Sequence, residues 1–240
     1  MTDPRSLFLH PLPKGAPVDR SQYVVDACRA KRVIHVGFAD HPLLDERVAR
    51  GDWLHSKISA VADSLVGLDT SAEDVEWARN AGFEAMVVDA ASEDDIRSLE
   101  LDPADVVLAS EILEHVDAPG PFVQAMHHLC RPEGRLIITT PNALQPLPSL
   151  AALSGTEVIH ADHVTPGYTP KTLTTLLVRR GWAVDTFAYY QNPYEPLQRG
   201  RGVNRATMGV VATIVRWVAG HAPRPYWSDG LIAVARRVNR

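Results

Sequence analysis

Short apolar runs alternate with stretches of helical periodicity along most of the chain. The runs occupy residues 32–37, 64–69, 84–89, 105–109, 135–140, 182–190 and 231–235. They are rich in Val and Ile and flanked by turn residues, as expected of strands buried in a parallel sheet. The helical stretches between them are well punctuated. Ser71 is placed to cap a helix, with Asp74 three residues on and Gly82 closing it. Thr169 caps another that starts at Pro170, carries Leu173, Leu176 and Leu177 on its apolar stripe, and ends at Gly181. Residues 19–30 predict a short helix with Tyr23, Val24, Ala27 and Cys28 on one face. A further helix is predicted over residues 203–219, with an apolar stripe of Val210, Val211, Ile214 and Val218. The repeated strand–helix alternation predicts an α/β fold: a seven-stranded, mostly parallel sheet with helices on both faces. The last strand is expected to run antiparallel, at or near the sheet edge. Residues 1–30 read as an arm and a helix, and 31–240 as one domain. Within that domain, 143–168 is a candidate lid and 192–228 a helical decoration.

Composition narrows the class. At 240 residues and 45% hydrophobic, the chain can bury one sizeable core. The net charge is −5, so nucleic acid is not an expected partner. No apolar stretch is long enough to span a bilayer, and no leader peptide is visible, so a cytoplasmic protein is expected. Cys28 and Cys130 lack metal-ligand spacing and read as reduced thiols.

In an open α/β sheet, ligands bind beyond the carboxyl ends of the strands. The first run ends in Val36-Gly37-Phe38-Ala39-Asp40-His41, a tight loop with a single glycine. A dinucleotide needs a G-x-G-x-x-G cradle so that backbone can touch the pyrophosphate. Here Phe38 and Asp40 would crowd and repel it. Asp69 ends the second run and is placed to accept from both ribose hydroxyls. Asp89 ends the third and could accept from an adenine amine, or merely cap the next helix. A nucleoside cofactor without phosphates fits these groups better than NAD, which points to S-adenosylmethionine.

The segments VIHVGFADH, LVGLDTS, VVDAAS, ASEILEHV, GRLIITTPNA and HADHVTPGYTPKTLTTLL resemble the class I S-adenosylmethionine-dependent methyltransferases of the type 11/12 branch. The resemblance covers about residues 30–190 and implies a Rossmann-like fold. It implies that Val36, Gly37 and Phe38 line the methionine part of the cofactor, with Asp40 beside them. It puts Asp69 on the ribose, Thr70 beside the adenine, and Asp89 and Ala90 against the adenine. Ser110, Glu111 and His115 would lie near the methionine end and the acceptor. The chain departs from the family at His35, where an acidic residue is usual, and at Ala39 and near His41, where glycines are.

Methyl transfer to a hydroxyl needs a base, and histidine suits neutral pH. His163, in the loop before the Thr169-capped helix, is the first candidate, with loop anchoring as its other reading. His115 could act as base or brace its loop, and Glu111 lies beside it. His41 could also reach the transfer site, whereas His55, His127 and His128 read as packing or surface residues. Glu111, Asp162, His160 and His163 could instead hold a magnesium ion that orients vicinal hydroxyls.

The leading expectation is an O-methyltransferase acting on a sugar or oligosaccharide in polysaccharide biosynthesis, the mycobacterial methylmannose polysaccharide being its sharpest version. Tyr194, Arg199, Arg201, Arg205, Arg216, Trp217, Tyr226 and Trp227 would suit stacking on sugar rings, or pack on the sheet or a homodimer partner. A quinone, phenol or polyketide is the alternative acceptor. A non-catalytic methyltransferase-like binding module is the alternative of another class.

Overall fold

A computed structural model describes residues 10–15, 17–152, 155, 157–191 and 225–238. The predicted helix over 203–219 and most of the 192–228 decoration lie outside the described residues. The elements run in the order β1 (Pro17–Val18), α1 (Arg20–Cys28), β2 (Arg32–Val36), α2 (Leu44–Arg50), α3 (Leu54–Ser59), β3 (Ser64–Asp69) and α4 (Ala72–Asn80). There follow β4 (Glu84–Val87), α5 (Glu93–Ser98), β5 (Ala104–Ser110), α6 (Pro119–Leu129), β6 (Cys130–Pro141), α7 (Pro146–Ala152), α8 (Pro170–Arg179), β7 (Trp182–Tyr190) and β8 (Gly230–Arg237).

The strands form one sheet in the order β1-β7-β8-β6-β5-β2-β3-β4. All neighbours pair parallel except β8, which is antiparallel to both β6 and β7. One detail differs from the sequence expectation. The sheet has eight strands, because residues read as arm add β1 beside β7. The last strand lies near the edge, as expected, third from it and inserted between β6 and β7. Its near-continuous burial explains this, since an edge strand would not bury Leu231, Ile232, Ala233 and Ala235 together. The arm is docked rather than loose: the Tyr189 hydroxyl donates to the Pro13 carbonyl at 3.1 Å.

Helices cover both faces. Leu173 and Leu177 of α8 pack with Phe122, Val123 and Met126 of α6 on one face. On the other, Val24 and Cys28 of α1 meet Leu54 and Ile58 of α3. The expected caps form. Ser71 Oγ accepts from Asp74 N at 3.3 Å, and Thr169 and Thr172 make a reciprocal capping box on α8. Cys28 and Cys130 are buried thiols, not bridged.

Beneath the β2 loop lies an aromatic cluster. Phe38 is 1% exposed and its ring packs at 4.6 Å from His55 and 6.2 Å from Trp53. It fills the space over Gly67, where an added Cβ would come within 2.6 Å of the ring. His35 and His55 stack here with their Nδ1 atoms 3.2 Å apart, and both Nε2 atoms are buried without a hydrogen-bond partner. Burial pushes both imidazoles toward neutrality, His55 down to about 3, with the His55 ring and the Arg20 guanidinium disfavouring charge on His35 further.

The unfolded chain therefore binds protons near pH 6.5 that the folded chain refuses. Taken alone, the pair's contribution to stability is fully present above that pH and falls as the solution is acidified below it, while buried Glu114, raised to about 8, contributes with the opposite sign over the same range. We therefore expect the ring itself to report the burial: an NMR titration of the folded chain should show His55 still neutral at about pH 5. A His55 ring that titrates near 6.5 would contradict the buried pair.

Candidate functional site

The strand order reverses at β2, which pairs β3 on one side and β5 on the other. The carboxyl ends of β2, β3, β4, β5 and β6 therefore open onto a common crevice at this switch point. The β2 loop turns at Gly37, whose φ is +69°, and Asp40 also takes the left-handed region at +59°. The loop is tied down from three sides. Gly37 N donates to the Leu68 carbonyl at 2.8 Å, Trp53 Nε1 donates to the Phe38 carbonyl at 3.0 Å, and Ala39 N donates to Asp69 Oδ2 at 3.1 Å.

Asp69 thus braces the loop with one oxygen, and its other oxygen accepts from Ser71 N at 3.0 Å. Each carboxylate oxygen keeps a second lone pair. Asp89 is exposed at the tip of β4, with Oδ1 accepting from Ala91 N at 2.9 Å, and Ala90 is buried beside it. Val36 is buried at the end of β2, and Thr70 is exposed between Asp69 and Ser71. Phe38 differs from the expectation. Its ring faces the core, so only its backbone remains at the loop surface. His41 turns to Asp74 on α4, with Nδ1 2.9 Å from Oδ2, and its ring is committed there rather than to the crevice.

A chain of polar contacts crosses the ends of β5, β6 and β7. Arg20 Nη1 on α1 donates to Ser110 Oγ at 3.2 Å, and Ser110 Oγ lies 3.1 Å from Thr139 Oγ1. Thr139 donates to Glu111 Oε1 at 2.9 Å, and the Tyr190 hydroxyl donates to the same oxygen at 2.5 Å. The Arg20 guanidinium stands 3.9 Å from Glu111 and 5.6 Å from the Tyr190 ring centre. Glu111 adopts a left-handed φ of +52°, held by its N–H to the Thr139 carbonyl at 2.9 Å. Glu114, 1% exposed, accepts from Thr140 Oγ1 at 3.0 Å. Burial, reinforced by the charge of Glu111, raises its carboxyl to about 8.

The third group is a cluster of imidazoles. His115, on the turn after β5, has its ring centre 4.5 Å from that of His163 and 5.8 Å from that of His160. Partial burial and the neighbouring imidazoles lower His163 to about 4. Glu111 is not part of this cluster. The mixed carboxylate–imidazole set expected for magnesium is therefore not assembled, since the carboxylate of Glu111 is engaged with Thr139 and Tyr190.

The expected lid contains helix α7, and its two ends are pinned together. Ala143 N donates to the Tyr168 carbonyl and Tyr168 N to the Pro141 carbonyl, both at 3.0 Å. A cavity of about 560 Å³ within it is lined mostly by apolar residues such as Ala143, Pro148, Val158 and Ile159, with Gln145, Ser149 and Glu157 among them. Leu144, Leu150, Ile159 and Val164 are exposed on the same segment.

A family described as a methyltransferase domain matches residues 26–186. The chain belongs to that methyltransferase domain family. Its likeness to known proteins is consistent with this. The mitochondrial ubiquinone biosynthesis O-methyltransferase of Mus musculus is 28% identical over 156 residues, covering 60% of this chain and 42% of that protein. The chain thus matches less than half the length of that relative. Among solved structures, a SAM dependent methyltransferase from Archaeoglobus fulgidus shares the fold at a TM-score of 0.57 and 15% identity, over 91% of each chain. The N-methyltransferase NodS of Bradyrhizobium japonicum WM9, solved with S-adenosyl-L-homocysteine, gives 0.54 at 11% identity over 92% of this chain and 86% of that one.

In this methyltransferase domain, Asp40, Asp69, Asp89 and Glu111 lie at or beyond the carboxyl ends of their strands, with Arg47 3.6 Å from Asp40 and Arg20 3.9 Å from Glu111. The acids outnumber these two cations, so the donor set fits a nucleoside without phosphates better than a pyrophosphate. The sequence reading missed Arg20, Tyr190, Thr139 and Glu114. Glu114 lay within the quoted EILEHV segment, but its burial was not visible. Arg20 and Tyr190 reach the site only through tertiary packing. Tyr190→Phe removes one of the donors to Glu111, and we expect it to fold but lose about 2 kcal/mol in urea unfolding. An unchanged midpoint would show that the contact contributes nothing.

Proposed function

We propose that the protein transfers a methyl group from S-adenosylmethionine to a hydroxyl of a small, largely apolar acceptor such as a quinone or phenol. The observation that carries this reading is the acidic crevice without a glycine cradle, together with a mostly apolar cavity in the segment after β6. The match to a ubiquinone biosynthesis O-methyltransferase supports the same acceptor class. A lining that is mostly apolar, with Gln145, Ser149 and Glu157 as its polar side chains, suits a largely apolar acceptor that carries a few polar groups. The aromatic and basic residues expected to stack on a sugar lie mostly outside the described residues.

Bound S-adenosylmethionine supplies an electrophilic methyl on a good leaving group, so the protein's task is positioning. Asp69 holds the ribose hydroxyls with its remaining lone pairs, beside Thr70. Asp89 and Ala90 meet the adenine. Val36, Gly37 and the Phe38 backbone border the methionine chain, with Asp40 facing its ammonium group. Arg20, beside Ser110, is the cation available for the methionine carboxylate. Glu111, fixed by Tyr190 and Thr139, keeps the negative field on the sulfonium side. His163 takes the acceptor proton, with His115 packed against it at 4.5 Å. The methyl–sulfur bond breaks as the methyl–oxygen bond forms, leaving S-adenosylhomocysteine.

Thermal-shift titration should raise the unfolding temperature with S-adenosylmethionine and S-adenosylhomocysteine and not with NAD. Asp69→Asn should weaken that binding about tenfold or more. No shift with either sulfur compound would sink the reading. Methyl transfer to a panel of catechols, hydroquinones and mannosides then identifies the acceptor class. His163→Ala should lower kcat on the best acceptor by about a hundredfold while cofactor affinity stays unchanged. Undiminished turnover would remove His163 as the base.

A further inference from the structure

The imidazole cluster has a geometry that proton transfer alone does not require. His115, His160 and His163 each offer a ring nitrogen, and these three atoms all lie within 4.8 Å of one another. They come from two separate parts of the chain. His115 belongs to the short turn Leu113–His115, whose neighbours Leu113 and Glu114 are buried, so it is anchored to the sheet. His160 and His163 sit on the lid segment, joined by a turn in which His163 N donates to the His160 carbonyl at 3.1 Å. The two parts already meet. Val164 N donates to the Glu114 carbonyl at 2.8 Å, and His115 Nδ1 donates to the Asp162 carbonyl at 3.2 Å. That last bond fixes the His115 ring and leaves its Nε2 lone pair for a ligand, as backbone carbonyls do for metal-bound histidines.

We propose that His115, His160 and His163 form a site for a borderline divalent transition-metal cation, zinc being the reference case, which clasps the lid segment to the turn after β5. Three imidazoles with an open fourth position match the three-histidine class of zinc sites. Zinc–nitrogen bonds of about 2.1 Å place neighbouring nitrogens about 3.4 Å apart, so closure needs a movement of a little over 1 Å. The exposed His160 loop can supply it. The donor set has no carboxylate at its centre, so it disfavours magnesium and calcium, which require oxygen ligands. The Asp162 carboxylate, 3.8 Å from His160 Nδ1, stands outside the triad and adds compensating negative charge. A His163 bound to metal cannot also take a proton, so on the base assigned above the clasped and the active states exclude each other.

The test uses the full chain without an affinity tag, in metal-free buffer. Calorimetry with zinc chloride should give one site per chain with a micromolar or tighter Kd, and magnesium chloride should give no binding at millimolar concentration. His115→Ala, His160→Ala and His163→Ala should each weaken zinc binding at least tenfold, with apo unfolding temperatures close to that of the parent. Hydrogen exchange of the amides of residues 157–165 should slow on zinc addition. Absence of zinc binding, binding insensitive to His160→Ala, or unchanged exchange in the lid would each overturn the clasp. An S-adenosylhomocysteine thermal shift on the same samples separates the two readings. If that shift persists without zinc binding, only the clasp fails; zinc binding without the shift leaves the clasp and removes the methyltransferase reading.

Discussion

The carboxylate of Glu111 is the point on which the architecture of the crevice depends. It gathers four elements that are distant in sequence: α1 through Arg20, β6 through Thr139, β7 through Tyr190, and β5, which Glu111 directly follows. Two of these elements, β6 and β7, belong to the half of the sheet that carries the β8 insertion and the docked arm. A partly buried carboxylate is costly unless its lone pairs are used, and here donors converge on one oxygen. The second oxygen receives no hydrogen bond from the described residues. The left-handed backbone at Glu111 follows from the same constraint, because only that turn brings the carboxylate back over Thr139 while its N–H reaches the Thr139 carbonyl.

The opposite half of the crevice is organised by a different acid. Asp69 accepts from Ala39 N and Ser71 N, so it ties the β2 loop to the start of α4. This explains how the loop dispenses with the usual glycines. Phe38 is not forced toward a ligand; its ring drops over Gly67 into the aromatic cluster, and the absence of a side chain at Gly67 is what makes room for it. The glycine missing from the loop is, in effect, relocated to the neighbouring strand. The histidine at position 35 belongs to the same arrangement, stacked on His55 beneath the loop.

Much of this was legible in the chain itself. Period, turn residues and caps marked seven of the strands and the helices capped by Ser71 and Thr169, because those signals are local. The strand-tip acids Asp69 and Asp89 were legible for the same reason. Three things were not. The two-residue β1 is too short to carry a pattern, and it exists because β7 offers an open edge. The insertion of β8 between β6 and β7 depends on a pairing choice between strands far apart in sequence. Arg20 and Tyr190 carry no motif, and their approach to Glu111 is set by the packing of α1 and β7. The His115–His160–His163 cluster was half legible: each histidine was singled out, but two of them were grouped with Glu111, and the structure turns that carboxylate toward Tyr190.

The neck of the segment after β6 has a consequence of another kind. Its strands part at Pro141 and rejoin at Tyr168, closed by paired backbone bonds and by Gly167, where a Cβ would sit 2.2 Å from the Pro141 carbonyl oxygen. A closed neck insulates the sheet from whatever length of chain lies beyond it, because the entropy of bringing the ends together is already spent and grows only slowly with loop length. Insertions, deletions and substitutions between residues 144 and 166 can therefore accumulate without disturbing the register of β6 or the start of α8. On the proposed function, the segment that would meet the acceptor can vary in length and sequence without moving the strand ends that would meet the methyl donor.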